Sequence, residues 1–153
     1  MSAKVIERFY EAFSRRDAEK MAATYADDVR FSDPVFQDLR GERARNMWRM
    51  LCELGKDLEI TYRDVKVAGN RGSAHWEANY TFSLTGNRVH NIIDASFVLR
   101  DGKIVEHVDR FDLWRWSGLA LGLKGKLLGW APFVQGAIRK NAVRGLDAWI
   151  AKR

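Results

Sequence analysis

The chain is poor in the residues from which most dedicated chemical sites are built. It has one cysteine, Cys52, three scattered histidines and two prolines. A single cysteine excludes an internal disulfide, and dispersed histidines give no zinc-type cluster, so no metal is expected. An uninterrupted run of about 18 apolar residues is also missing, which argues against a membrane-spanning helix. The opening segment, MSAKVIERFYEAF, carries Glu7 and Glu11 inside an amphipathic pattern and has no apolar signal core. The glycines at 118, 122 and 125 do not follow a phosphate-binding spacing, so no cofactor is expected. These absences predict a soluble, cytoplasmic protein without metal, nucleotide or flavin.

What is present is a chain of 153 residues, 46% hydrophobic and 30% charged, enough for one domain with a real core. Its charge is uneven. From Arg115 onward there are eight Lys or Arg against one acid, Asp147, a net of +7, so the first 114 residues carry −1 of the chain's +6. Any anionic partner should therefore meet the tail.

Residues 3–15 set Val5, Ile6, Phe9, Tyr10 and Phe13 at helical spacing. Asp17 is positioned to cap a second short helix, DAEKMAATYA. A short strand, Val29 to Ser32, then runs into Asp33-Pro34, where proline ends any ladder. GERARNMWRMLCEL is the clearest helix, and Cys52 on its apolar stripe reads as a small buried hydrophobe.

The period then changes to two. LEITYRDVKV, SAHWEANYTFSL, RVHNIIDASFVL and KIVEHVDRFDLW read as strands separated by glycine- and Asn/Asp-bearing turns, an antiparallel meander. In the second of these, Trp76, Ala78, Tyr80 and Phe82 alternate with His75, Glu77, Asn79 and Thr81. One face is apolar and the other polar.

This order of elements resembles the NTF2-like superfamily of α+β cones. YADDVRFSDPVF is similar to the corresponding stretch of ketosteroid isomerases, GKIVEHVDRFD to the closing strand of SnoaL-like polyketide cyclases, and TGNRVHNIIDASFVLRDGKIVEHVDRFDLWRW to the last strands of limonene-epoxide hydrolases. The likeness spans residues 1–114. It implies three N-terminal helices packed on a curved, mainly antiparallel sheet, with 115–153 as a basic, aromatic helical extension, and a homodimer through the sheet.

The resemblance also assigns residues. Asp33 falls where the isomerases keep a general base, and Asp109 where the cyclases and epoxide hydrolases keep an acidic group. The isomerases' oxyanion-hole tyrosine and acid fall on Phe9 and Phe97, with Tyr10 one residue off. The hydrolases' arginine and second aspartate fall on Trp76 and Ala78. Those departures argue against either reaction in its full form.

Alternation puts His107, Asp109 and Phe111 on one strand face, with Ile104, Glu106, Val108 and Arg110 on the other. If the first set faces the cone, Asp33 and Asp109 act as acid/base groups and His107 assists. Phe9, Phe31, Trp48, Trp76, Tyr80, Phe97, Phe111 and Trp114 would then line a pocket for a small hydrophobic ligand. Acids buried among aromatics have raised pKa values and can move protons next to a carbonyl, as isomerases, cyclases and dehydratases require. The competing reading is a noncatalytic small-molecule or lipid-surface binding protein, with Asp109 paired to Arg110, Arg115 or a backbone amide and Asp33 serving only its turn. Asp112 lies on the alternate face and reads as structural, and His75 and His90 read as surface groups.

The tail supports three roles: a lid over the cone mouth, a dimer or partner contact, or an amphipathic element on an anionic membrane surface. Nucleic acid is not expected, because the body is nearly neutral and charge alone gives only salt-sensitive, nonspecific binding.

Overall fold

A computed structural model describes residues 2–153. Helix α1 (Lys4–Ser14) buries Val5, Ile6, Phe9, Tyr10, Ala12 and Phe13, the stripe expected from its spacing. The carboxylate of Asp17 accepts from Lys20 N and caps α2 (Ala18–Ala23). That helix is shorter than its sequence pattern predicts. Thr24 ends it, and Tyr25 and Ala26 already belong to strand β1 (Tyr25–Ser32). Strand β2 (Leu39–Arg40), which the sequence pattern does not reveal, pairs with the end of β1. Helix α3 (Glu42–Leu54) follows.

The expected meander is present as β3 (Glu59–Ala68), β4 (Arg71–Thr81), β5 (Arg88–Arg100) and β6 (Lys103–Arg110), all antiparallel. The sheet runs β2-β1-β6-β5-β4-β3, and β1 joins the meander by pairing parallel to β6. The three helices cover its inner face, giving one core that includes Phe9, Phe13, Trp48, Trp76 and Phe97. At Gly72 of β4 the Ile6 Cδ1 methyl takes the space of a side chain, 2.5 Å from where a Cβ would stand.

Strand β6 differs from a plain alternation in one place. Its register slips, with Leu99 opposite Ile104 but Val98 opposite Glu106, so Val105 is the extra residue of a bulge. Ile104 is therefore buried on the same side as His107 and Asp109, correcting the expectation that it faces away.

The strand also ends at Arg110, four residues before Trp114. Asp112 accepts from Arg115 N and caps α4 (Leu113–Leu121). Helices α5 (Leu123–Leu128) and α6 (Pro132–Ala151) complete the tail. No described helix is long and apolar enough to cross a membrane.

Candidate functional site

The parallel pairing of β1 with β6 builds the site. Phe31 lies opposite His107 and Ser32 opposite Val108, where the ladder ends, and Asp33 follows one residue beyond it. The Asp109 charge acts to raise the pKa of Asp33, so the two acids share one electrostatic environment. Asp33 Oδ1 accepts from Val35 N at 2.7 Å and Phe36 N at 2.6 Å, an Asx turn that places the carboxyl. Burial outweighs those two bonds and pushes Asp33 up to about 7.

Asp109 is buried and does not pair with arginine. Arg110 donates to Ser96 Oγ and Arg115 to His90 O, so both cations that could have neutralised it are engaged elsewhere. Its partners are Trp76 Nε1, 3.2 Å from Oδ1, and His107 Nε2, 2.9 Å from the same oxygen. On its other side His107 Nδ1 lies 2.7 Å from the Tyr25 hydroxyl, which accepts from Trp48 Nε1 at 2.9 Å.

The donors order this chain. Trp48 donates to Tyr25, Tyr25 spends its hydrogen on Nδ1, and His107 therefore presents Nε2–H to Asp109. The chain thus assembles a hydrogen-bond series with one direction, Trp48 to Tyr25 to His107 to Asp109. Burial and the Asp109 charge hold the Tyr25 hydroxyl well above its ordinary range, so it stays protonated.

Tyr25 is a site residue that sequence reasoning missed, because the pattern assigned it to α2. Its position depends on the buried Arg45, whose Nη2 reaches Tyr25 O at 3.3 Å and Ala26 O at 2.6 Å. Those contacts fall where the β1–β6 register is interrupted between Tyr25 and Arg30. A guanidinium satisfies what the ladder leaves unpaired.

The aromatic residues divide into two groups. Phe9, Phe31, Trp48 and Phe97 pack on the imidazole itself, with Phe97 4.4 Å from it centroid to centroid and Trp48 stacked at 6.0 Å. His107 has no exposed surface, so it backs Asp109 rather than lining a pocket, and these four rings form its wall. Trp76 and Tyr80 face the acids, and Phe111 packs against the same core. Trp114 does not join them. Helix α4 begins at Leu113, and Trp114 points outward with its indole bonded to Lys126 O, which corrects its assignment to the cavity.

Two tyrosines feel the charge of the acids. The Tyr80 hydroxyl accepts from Trp116 Nε1 at 2.7 Å, and the Asp33 charge helps to raise its pKa. Tyr10, also close enough to Asp109 to be raised by its charge, has the one enclosed side-chain oxygen without a partner among the described residues. Asp109 and Asn91 are buried, and Asp109 bonds through Oδ1. Asp33, Asp109 and Tyr80 are the polar groups coupled by charge here.

The tail makes contact here. Trp116 of α4 reaches Tyr80, and Arg139 of α6 donates to Pro34 O, next to Asp33. Further along, Leu146 is buried among core residues, and α6 is tied to α3 by Arg43 with Asp147 at 2.5 Å. Cys52 is buried as expected, with its thiol pushed up to about 11. His75 and His90 lie on the opposite, outer face of the sheet with Glu77 and Asp94.

Residues 6–107 match the SnoaL-like domain family. No curated protein matches the chain. Among solved structures, it is similar to an LEH-like epoxide hydrolase of M. tuberculosis at 21% identity, covering 82% of this chain and 94% of that one, with a TM-score of 0.64. It is also similar to IdmH, a candidate polyketide cyclase from Streptomyces antibioticus, at 23% identity over 78% and 97%, with a TM-score of 0.65. A third neighbour is TerC, co-crystallised with polyporic acid, at 21% identity over 76% and 95% and a TM-score of 0.65. At these identities the likeness is one of fold.

Proposed function

Because the chain belongs to the SnoaL-like domain family, within the NTF2-like fold, we propose that it is a cofactor-independent acid/base enzyme of isomerase, cyclase or dehydratase type acting on a hydrophobic carbonyl compound. The observation that carries this reading is Asp33, a carboxyl raised to about 7 beside a second acid. A base with that pKa takes a proton from carbon and returns it at neutral pH without being locked in either state.

In the proposed reaction Asp33 removes a proton from the carbon next to the carbonyl. Tyr80 receives the Trp116 indole hydrogen on its oxygen, which leaves its own hydrogen for the developing enolate. Asp109 Oδ1 is held by Trp76 and His107, and Oδ2 is the oxygen that would serve the substrate. The enolate then takes the proton back at another carbon, or attacks a second carbonyl whose new alkoxide takes it. His107 and Tyr25 orient Asp109 from behind and touch no substrate.

The test is proton exchange. In deuterated water, a panel of cyclic ketones and enones is followed by NMR with the wild type, Asp33→Asn and Asp109→Asn. The wild type should exchange the α-protons of at least one probe, and each variant should lose about 10²-fold or more of that rate. Equal rates in all three proteins would overturn the acid/base assignment. The competing reading, noncatalytic small-molecule binding, draws on the full enclosure of His107. It predicts a copurified hydrophobic molecule in native mass spectra that both variants retain and none of the proteins alters.

A further inference from the structure

Among the described residues, six of the nine exposed large hydrophobic side chains fall within the twenty residues 114–133: Trp114, Leu123, Leu127, Leu128, Trp130 and Phe133. Leu123 is 71% exposed, Leu127 62%, Trp130 57% and Phe133 72%. Scattered single leucines on a surface need no explanation, but a set concentrated at one corner does.

The way α4 meets α5 explains why these side chains are outside. A Cβ on Gly125 would stand 1.9 Å from Ser117 O, and one on Gly129 would stand 2.7 Å from Ser117 Cβ. The two helices therefore touch backbone to backbone through serine and glycine. Gly122, at a φ of 74° that glycine adopts without strain, makes the reversal between them. With the contact taken by small residues, the leucines of α5 are left exposed, Leu123 and Leu127 most of all. The indoles at the rim are tethered: Trp114 Nε1 bonds Lys126 O at 3.0 Å and Trp130 Nε1 bonds Leu127 O at 2.8 Å.

Charge identifies the occupant. Residues 113–146 contain six Lys or Arg and no acid, and Lys124 and Lys126 lie among the exposed leucines. A second copy of the chain would bring the same positive field against itself, which a two-fold contact cannot relieve. An anionic bilayer offers both what the patch lacks, an apolar layer for the leucines, indole rings and Phe133, and negative headgroups for the lysines. We propose that the α4–α5–α6 corner docks the protein onto an anionic lipid surface, with Leu123, Leu127, Trp130 and Phe133 entering the acyl boundary. This surface is independent of the chemistry inside the cone.

Flotation of the full chain with vesicles tests it. Phosphatidylcholine vesicles doped with phosphatidylglycerol should bind at least about tenfold more protein than phosphatidylcholine alone, and added salt should reduce the difference. Lys124→Glu combined with Lys126→Glu should remove most of that preference. Leu127→Ser combined with Phe133→Ser should lower binding to both vesicles, and because both side chains are exposed, its circular dichroism should be unchanged. Equal binding to the two vesicle types, or none to either, would overturn the proposal. So would a dimer in sedimentation velocity that Leu127→Ser with Phe133→Ser converts to monomer, since a second copy would then cover the face.

Discussion

The two faces of one sheet carry nearly the same side chains at nearly the same distances. Inside, His107 stands 2.9 Å from Asp109; outside, His75 stands 2.9 Å from Asp94 and 2.8 Å from Glu77, and His90 2.7 Å from Glu77. The outer set is reached by water, with Asp94 79% and His90 44% exposed, although His75 and Glu77 are partly covered. The inner pair is buried, His107 fully and Asp109 to 3% exposure. Each inner group is held by a donor behind it, Trp48 on Tyr25 and Tyr25 on His107, and rings close the space between. A histidine–carboxylate contact therefore says little about function until burial and the donors behind it are known.

The comparison breaks most easily at the histidines. His107→Ala leaves a cavity among four rings and strips partners from both Tyr25 and Asp109, so it should cost about 3–5 kcal/mol in urea unfolding. The same change at His75 should cost less than about 1 kcal/mol. Equal losses would mean that burial is not what separates the two faces.

Asp33 gives the next largest effect. Its folded pKa, about 7, lies above the ordinary carboxyl value, so the native state holds a proton that the unfolded chain releases. Stability from this group is complete below about pH 4 and is lost as pH rises toward 7, by on the order of a few kcal/mol. Unfolding of Asp33→Asn at a series of pH values should lack that decline. A slope that survives the substitution would show that another group produces it.

Much of this inner site was legible in the sequence, and the part that was not has a common cause. Period-two patterning in β4 and β5 was enough to put Trp76 and Tyr80 inside and His75 and His90 outside, because each strand pairs with its sequence neighbour through a hairpin. Asp33, Asp109 and His107 could be named from local motifs. Their convergence depends on β1 pairing with β6, some eighty positions away, which no local pattern encodes. Tyr25 was hidden by a helix-like run, DAEKMAATYA, that Thr24 ends and Arg45 overrides by binding the carbonyls beyond it. Ile104 was misplaced because one bulged residue reverses the side on which every earlier residue of the strand points. Trp114 was misplaced because an Asp cap turned the end of the strand pattern into a helix.

Tyr25→Phe sharpens the comparison from within the buried set. The ring keeps its stacking on Phe9, but Trp48 Nε1 loses its acceptor and His107 Nδ1 its donor. The cost should be about 1–3 kcal/mol in urea unfolding, the range for a buried polar group left unpaired. NMR of the imidazole nitrogens should show His107 no longer held in the Nε2–H form. An unchanged tautomer would mean that Asp109 alone sets it.

The smallest effect belongs to the outer face. Glu77→Gln removes the anion that both His75 and His90 contact, while Asp94 remains on His75. Hydrogen bonds donated to Asp94 and Glu77 raise the His75 pKa, and those accepted from His75 and His90 lower that of Glu77. The lowered acid adds stability only above the ordinary glutamate value, and the raised base adds it only until pH climbs through its own folded value. Both charges are therefore present together around pH 5–6, and the pair should matter there and fade on either side. Even in that window water screens it, so the variant should lose less than about 1 kcal/mol, and salt should erase the loss. A larger, salt-resistant loss at pH 8 would mean that the outer histidines are enclosed in the working protein, and that its outer sheet face is covered by something other than solvent.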